Sequence, residues 1–150
     1  MASHYSKPLG FLIGELLKNS DNLIGWVLNL QVSHEGHILH DGAGLSRHSK
    51  VTPIEVMELL KKEGSLFNSY LPVAGVEGSL KKRLKETFLD KKLLAKTGGM
   101  EGICNLAGFW INSKGHKMIL VFMMNQSPKT WKESCIAVDT YLGSILKEYD

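Results

Sequence analysis

Two short motifs in this chain bring together residue types that could recognise a peptide. Ser20-Asp21-Asn22 lies between two helical patterns, and Lys96-Thr97-Gly98 lies at the end of a short apolar run. A lysine at the end of a strand can hold a substrate carboxylate, and a glycine beside it lets a peptide backbone lie close to the strand edge. The chemistry indicated is recognition of a peptide through its carboxylate and its backbone.

Each motif also has a purely structural interpretation. Lys96-Thr97-Gly98 could be a strand that runs into a turn at Gly98 and Gly99. Ser-x-Asn is a common pattern, and Ser20 or Asp21 would make a good N-cap for the helix that follows. The choice between the two interpretations depends on the rest of the chain.

The elements that would position these motifs can be read from apolar spacing and cap residues. Thr52 and Pro53 form an N-cap and first-position pair, and Glu55 completes a capping box. A final helix carries an apolar stripe, and a turn signal at residues 112–115 joins two strands in a hairpin. Helices are predicted over residues 9–17, 23–30, 53–64, 66–70, 79–86 and 129–147. Strands are predicted over residues 93–97, 103–112 and 117–124.

This order of elements predicts an α+β fold in a single domain over residues 1–150, because helices precede an antiparallel sheet and a helix closes it. The 150 residues, 43% of them hydrophobic and 22% charged, can bury a real core. The net charge of +3 is too small and scattered to imply nucleic-acid binding. The longest apolar run, residues 118–124, is too short to span a membrane, and the N-terminal residues lack the apolar core of a signal peptide.

Three further features have alternative interpretations. Cys104 and Cys135 are the only cysteines, and they are interpreted as buried free thiols, although one bridge between them stays open in an oxidising compartment. Histidines 34, 37 and 40 recur every third residue, but they match no known ligand pattern, so a solvated loop is preferred and no metal or other cofactor is expected. The basic stretch at residues 81–85, with Lys91 and Lys92, is interpreted as a solvated helix face that could also dock an anionic cell-wall polymer.

Longer stretches around the two motifs decide their interpretation. These stretches are Asp41-Gly42-Ala43-Gly44-Leu45-Ser46-Arg47-His48, Leu71-Pro72-Val73-Ala74-Gly75-Val76-Glu77-Gly78-Ser79-Leu80, and the segment from Ala95 through Lys-Thr-Gly to Phe109. Together with residues 19–23, they resemble the C-terminal part of the D-alanyl-D-alanine carboxypeptidase/endopeptidase family of low-molecular-mass penicillin-binding proteins. The resemblance implies part of a transpeptidase/β-lactamase-like domain, with a three-stranded antiparallel sheet flanked by helices.

The resemblance also implies roles for individual residues. The family acylates a serine with a peptidoglycan stem peptide ending in D-Ala-D-Ala, or with a β-lactam, and then hydrolyses the product. In this chain Ser20 would relay a proton, Asn22 would hydrogen-bond the substrate amide, and Lys96 would supply positive potential. Thr97, Gly98 and Gly99 would form the substrate-binding edge. The family acts outside the cytoplasmic membrane, which implies a periplasmic or other extracytoplasmic location.

The sequence departs from the family pattern in several places. The nucleophilic Ser-x-x-Lys motif of the family precedes the Ser-Asp-Asn motif, but here it occurs only later, at Ser79 and Ser144. Gly99 replaces the usual Thr or Ser after Lys-Thr-Gly. The connection over residues 30–41 is also shorter than the family pattern, so the chain is expected to be cut down internally and at its N-terminus.

Two functions follow as expectations. The first is the C-terminal part of a serine-type carboxypeptidase, which is inactive alone and needs a complementing N-terminal segment. The alternative is a non-catalytic remnant or peptidoglycan-peptide-binding module. Because the family takes its first strands from the N-terminal part, strand 117–124 would expose an apolar edge, which predicts self-association or pairing with a partner segment.

Overall fold

A computed structural model describes residues 5–30 and 40–150 of the chain. In these ranges four α-helices surround one antiparallel sheet with the strand order β1-β2-β3. The helices are α1 (Leu9–Asn19), α2 (Asn22–Asn29), α3 (Pro53–Phe67) and α4 (Trp131–Leu146). The strands are β1 (Leu93–Met100), β2 (Ile103–Ile111) and β3 (Lys117–Met124). The predicted α+β class with a three-stranded antiparallel sheet flanked by helices is confirmed.

Local hydrogen bonds explain where the helices begin. The Asp21 side chain caps α2 by accepting from the N–H of Ile24 at 3.0 Å. The predicted capping box of α3 is formed by Thr52 and Glu55, and a second box at Thr130 and Glu133 begins α4. Each box satisfies backbone N–H groups that have no partner inside the helix.

The sheet is covered on both faces because the side chains of β2 alternate between two apolar clusters. Cys104, Leu106 and Trp110 are buried against α4. Phe109 and Ala107 belong to the opposite cluster, where Leu60 of α3 is buried. The site strand β1 lies at one edge of the sheet and β3 lies at the other.

Three predicted boundaries were wrong. The helix predicted over 79–86 is a short 3-10 turn, Gly78–Leu80, followed by turns, because Leu84 and Glu86 have left-handed φ values of 57° and 60°. The piece predicted over 66–70 is instead the end of α3 and a following turn. Gly64 does not end α3, since it lies inside the helix where an added Cβ would be 3.0 Å from the Phe109 ring.

Three buried leucines explain why the segment after Gly78 is not an α-helix. Leu80, Leu84 and Leu89 are all buried in the cluster that faces α4. The three leucines are four and five residues apart in sequence. A chain that turns repeatedly over the sheet places all three side chains in the same cluster. Burial of three leucines outweighs the modest cost of two left-handed residues.

An ion pair holds this turning segment against α4. Arg83 donates to the Asp139 carboxylate through Nε at 3.1 Å and through Nη2 at 2.6 Å. Both side chains are mostly buried, with 14% and 20% exposure. Burial alone would lower the pKa of Arg83, but the hydrogen bonds and charge of Asp139 outweigh burial and raise it. The predicted solvated basic face is therefore wrong for Arg83, whereas Lys81, Lys82, Lys85 and Lys91 are exposed.

Replacing Asp139 with Asn should destabilise the fold, because it leaves the mostly buried guanidinium of Arg83 without its counter-charge. We expect a loss of about 3 kcal/mol in the free energy of unfolding, measured by urea denaturation. Glu148→Gln, at an exposed position of the C-terminal turn, is the control and should change stability little. Equal effects of the two substitutions would contradict the importance of the ion pair.

Candidate active site

The structure brings together the two motifs that are 76 residues apart in sequence. Lys96 lies on β1, and its Nζ donates a short hydrogen bond to the Ser20 hydroxyl. The same ammonium donates to the carbonyl oxygen of Thr97 at 2.7 Å. Two of the predicted catalytic side chains are therefore in direct contact.

The backbone at Ser20 explains how its hydroxyl reaches the sheet. Ser20 ends α1 in a left-handed conformation with φ 54° and ψ 48°, and Asp21 at once begins α2 as its N-cap. The chain thus turns sharply at one residue, and the Ser20 side chain lies at the junction of two helices. An ion pair of 3.0 Å between Lys18 and Glu77 also ties the end of α1 to the segment that precedes the Gly78–Leu80 turn.

Lys96 is a partly buried cation that makes no ion pair with a carboxylate of the described residues. Burial lowers its pKa from the ordinary value of a lysine. Among the described residues its hydrogen-bond partners are a hydroxyl and a carbonyl, and a desolvated ammonium in such surroundings gains by contact with an anion. This position therefore favours binding of a ligand carboxylate.

Thr97 is fixed by a neighbour from the 3-10 turn. Its hydroxyl donates to Ser79 Oγ at 2.8 Å, which joins the site strand to the Gly78–Leu80 turn. In the sequence, Ser79 begins a Ser-x-x-Lys match that comes after the Ser-Asp-Asn motif, and no local signal places it beside Thr97. The structure makes Ser79 a part of the site edge.

The outer edge of β1 changes character along its length. In its first half, Ala95 donates its N–H to the carbonyl of Pro72 at 2.9 Å, and the carbonyl of Leu93 accepts from Ala74 at 2.9 Å. Peptide directions alternate along a strand, so the N–H and C=O groups of Thr97 and Gly99 also point outward. No backbone of the described residues pairs with them. The edge at the motif is open to an added peptide strand.

The strand also continues past the position where a turn was predicted. β1 runs through Gly98 and Gly99 to Met100, and Gly99 is paired with Cys104 of β2. The structural interpretation of Lys96-Thr97-Gly98 as a strand ending in a Gly-Gly turn is therefore wrong. The two glycines are part of an exposed strand edge.

An aromatic ring occupies the space that a side chain at position 99 would fill. The indole Nε1 of Trp131, at the start of α4, occupies the place where a Cβ on Gly99 would be. Trp131 is 51% exposed and lies at the surface beside this strand edge. No local sequence signal pairs these two positions, because 32 residues separate them.

Asn22 is not brought into the Ser20–Lys96 contact. It is the first residue of α2, its side chain is exposed, and it makes no hydrogen bond to the described residues. The predicted role of Asn22 in holding a substrate amide remains a prediction. An exposed amide without a hydrogen bond to the described residues has both its donors and its acceptor available to a ligand.

The later Ser-x-x-Lys matches do not form a serine–lysine pair. Ser144 donates to the carbonyl of Tyr141 within α4 at 2.8 Å. The helix that would place Lys82 beside Ser79 is absent, since the 3-10 turn ends at Leu80. Among residues 5–30 and 40–150, no lysine contacts either hydroxyl.

Other predicted features are only partly visible. His34 and His37 lie outside the described residues, while the His40 ring lies 5.6 Å from that of His48. In the described part of the chain, no group of three or more histidine, cysteine or acidic residues could hold a metal. None of the helices described has the length and apolar character needed to cross a bilayer.

A protein-family model matches most of the chain. The model of the D-Ala-D-Ala carboxypeptidase 3 (S13) family matches residues 26–144. The chain belongs to this family. The match includes Lys96-Thr97-Gly98 and Gly99, and it begins after Ser20-Asp21-Asn22.

Individual relatives agree with the family. The chain is 33% identical to the D-alanyl-D-alanine carboxypeptidase DacB of Haemophilus influenzae, over 83% of this chain and 33% of that protein. It is 39% identical to a D-alanyl-D-alanine carboxypeptidase of an Actinomadura species, over 53% of this chain and 17% of that protein. The chain thus spans a third or less of the length of these two relatives.

Solved structures show the same fold. Penicillin-binding protein 4 of Haemophilus influenzae superposes with a TM-score of 0.80 at 29% identity, over 95% of this chain and 40% of that one. The same protein complexed with a β-lactam gives a TM-score of 0.79 at 31% identity. A Bdellovibrio bacteriovorus endopeptidase, Bd3459, shares the fold at 16% identity with a TM-score of 0.74.

The Gly99–Trp131 contact gives a matched pair of substitutions on one strand of this S13 chain. Gly99→Ala places a methyl group against the indole and should lower the free energy of unfolding by about 1–3 kcal/mol. Gly98→Ala is the control, because its added Cβ would meet Asn105 at an ordinary 3.5 Å. Thermal and urea unfolding of both variants measures the difference.

The double variant Gly99→Ala/Trp131→Ala tests the cause. If the indole produces the cost, truncating it should remove most of the effect of Gly99→Ala, and the coupling energy should be clearly non-zero. Additive effects of the two substitutions would show that the ring is not responsible.

Proposed function

We propose that this chain is the C-terminal part of the catalytic domain of a serine-type D-alanyl-D-alanine carboxypeptidase/endopeptidase that acts on peptidoglycan stem peptides. The observation that carries the proposal is the contact between Lys96 and Ser20 beside an open strand edge. Family membership and the resemblance to penicillin-binding protein 4 support it. This function places the protein outside the cytoplasmic membrane, in the periplasm or its equivalent.

The geometry supports a division of roles among the site residues. A peptide lying along β1 would exchange hydrogen bonds with the outward groups of Thr97 and Gly99. Its terminal carboxylate would be held by the ammonium of Lys96 and by the hydroxyl of Thr97, which would then donate to the carboxylate instead of to Ser79 Oγ. Gly98 leaves the edge clear for the peptide backbone, and Asn22 would hydrogen-bond the substrate amide.

Ser20 and Lys96 would act together in proton transfer. The ammonium donates to the Ser20 oxygen, so the serine hydroxyl hydrogen is left to point toward a ligand. A serine held in this way can pass a proton to a leaving amine, and the nearby cation stabilises negative charge that develops in the transition state. The attacking nucleophile would come from a Ser-x-x-Lys segment outside these 150 residues.

The edge of β3 is the surface on which we place that segment. β3 pairs with β2 on one side only, and residues 118–124 are all half-buried and all apolar. An apolar groove beside the strand is lined by Pro53, Ile54 and Met57 of α3 together with Ile119, Leu120 and Val121. A complementing strand, or β3 of a second copy, would cover both the edge and the groove.

A second candidate function rests on two specific observations. No Ser-x-x-Lys motif precedes Ser20 in the 150 residues, and Trp131 fills the position where the family usually has a hydroxyl side chain after Lys-Thr-Gly. A module with Lys96 and an open strand edge, but without a nucleophile, would bind peptidoglycan peptides or β-lactams without turning them over.

Acylation by a β-lactam distinguishes the two functions. The chain alone, incubated with penicillin, should show no covalent adduct by intact-mass spectrometry. Co-expression with an N-terminal segment that carries the Ser-x-x-Lys motif of the family should give one adduct, located on that segment. The same segment with its motif serine changed to alanine is the control.

Two outcomes would overturn parts of this proposal. An adduct on the isolated chain would show that a nucleophile is already present. A complex that assembles but is never acylated would favour the binding module. Sedimentation of the isolated chain tests the β3 edge separately, since self-association is expected alone and should be suppressed by the complementing segment.

Binding of a D-Ala-D-Ala peptide should depend on the protonation of Lys96. The carboxylate of N-acetyl-D-Ala-D-Ala is charged above its own pKa, so affinity should be highest while Lys96 is protonated. It should fall as the pH rises through the pKa of Lys96, which burial lowers from the ordinary 10.5. Lys96→Met should weaken binding roughly 10- to 100-fold near neutral pH, measured by calorimetry.

The Lys96→Arg variant separates charge from general effects of alkaline pH. Arginine stays protonated, so whatever affinity this variant retains should not fall over the same pH range. The unliganded wild type should also gain stability relative to Lys96→Arg as the pH rises through this range, because the unfolded chain then binds more protons than the folded one. Identical pH profiles for the wild type and Lys96→Arg would exclude Lys96 as the titrating group.

A further inference from the structure

The two cysteines of the chain lie side by side in its core. Cys104 of β2 and Cys135 of α4 are 31 residues apart in sequence, and their Sγ atoms are 3.3 Å apart. Both are buried, with 1% and 7% exposure, and both are free thiols that share a hydrogen bond. Sulfur atoms at this distance need to approach by little more than about 1 Å to reach the length of a disulfide bond.

No other role among the described residues competes for these thiols. They lie on the α4 face of the sheet, whereas Lys96 is on the opposite face of β1, so neither sulfur reaches the Ser20–Lys96 contact. No described metal-ligand cluster includes them. The charged side chains that act on Cys104 are Arg83 and Asp139, which are bonded to each other.

We infer that Cys104 and Cys135 form an intramolecular disulfide bond by exchange with a low-molecular-mass disulfide such as oxidised glutathione. One cysteine thiolate attacks the oxidant, forms a mixed disulfide and releases one glutathione thiolate. The second cysteine thiolate then displaces the other glutathione. Two S–H bonds of the protein are replaced by one S–S bond, and the two protons are balanced by the two glutathione thiols produced.

The burial of the two thiols indicates that this reaction occurs during folding rather than in the folded protein. Burial, followed by the hydrogen bond and charge interaction with Cys135, raises the pKa of Cys104 to about 12. The thiolate is the reactive form, so the folded core should exchange slowly. An unfolded or partly folded chain exposes both thiols, and packing of α4 on β2 then brings them together.

The bond would connect the closing helix to the strand beside the candidate site. Cys104 is paired with Gly99, and Cys135 lies one helical turn after Trp131, whose indole covers Gly99. Oxidation would therefore fix the start of α4 against the Lys-Thr-Gly edge. An extracytoplasmic location, as proposed above, would supply oxidising conditions, but the inference itself rests only on the thiol geometry.

Refolding in a glutathione redox buffer tests the inference. The reduced, denatured chain should refold to a product about 2 Da lighter, without glutathione adducts and without reaction with iodoacetamide after denaturation. Peptide mapping should find Cys104 joined to Cys135. The melting temperature of the oxidised product should exceed that of the reduced protein by roughly 5–15 °C.

Two variants provide the controls. Cys104→Ala/Cys135→Ala should melt near the reduced wild type and should not respond to oxidant. Cys135→Ala should leave Cys104 reduced or as a glutathione adduct, because no second thiol can displace glutathione. Wild-type protein that stays reduced, gives mainly intermolecular dimers, or melts no higher when oxidised would overturn the inference, and the wild-type measurement stands even if a variant fails to fold.

Discussion

The register between β1 and β2 is the constraint on which the candidate site depends. β2 is the central strand, and its alternating side chains are buried in two different apolar clusters, so it cannot shift by one residue without exposing both. Pairing Gly99 with Cys104 and Lys96 with Ala107 then decides which face of β1 each motif residue occupies. Lys96 is directed toward the α1–α2 junction, and Gly99 is directed toward α4.

The contact between Lys96 and Ser20 follows from that register together with one backbone feature. A lysine on the face of β1 opposite α4 needs a partner, and the left-handed turn at Ser20 supplies a hydroxyl at the right place. The partner is neutral, so the cation is desolvated without being compensated by a carboxylate. Such an arrangement is costly in the free protein and favourable once an anion is bound, which is typical of a binding site rather than of a structural ion pair.

Local patterns predicted most of the elements but not all of their ends. Thr52 and Glu55 identify the start of α3, and the turn at residues 112–115 identifies the hairpin, because each signal depends on residues close in sequence. The failure over residues 79–86 has a tertiary cause. Leu80, Leu84 and Leu89 are drawn into a core formed by distant strands, and burial there overrides a helical pattern.

In the candidate site, too, the sequence indicated individual residues but not the contacts between residues that are distant in sequence. The residue types at Ser20 and Lys96 predicted a functional role for each, whereas their direct contact depends on the packing of the end of α1 against the Gly78–Leu80 turn beside β1. Ser79 beside Thr97 and Cys104 beside Cys135 are contacts across 18 and 31 residues. No periodicity or cap signal reports such pairs, so only the folded chain shows them.

Gly99 and Trp131 bear most directly on what the site can do. A glycine in place of the hydroxyl residue looks, in sequence, like a simple loss of one hydrogen bond to a substrate carboxylate. In the structure the vacated space is filled by an indole whose N–H makes no hydrogen bond to the described residues. An indole N–H is a donor, so the replacement changes the identity and position of a donor group rather than removing donors from the edge. Recognition of a carboxylate at this edge is therefore compatible with Gly99.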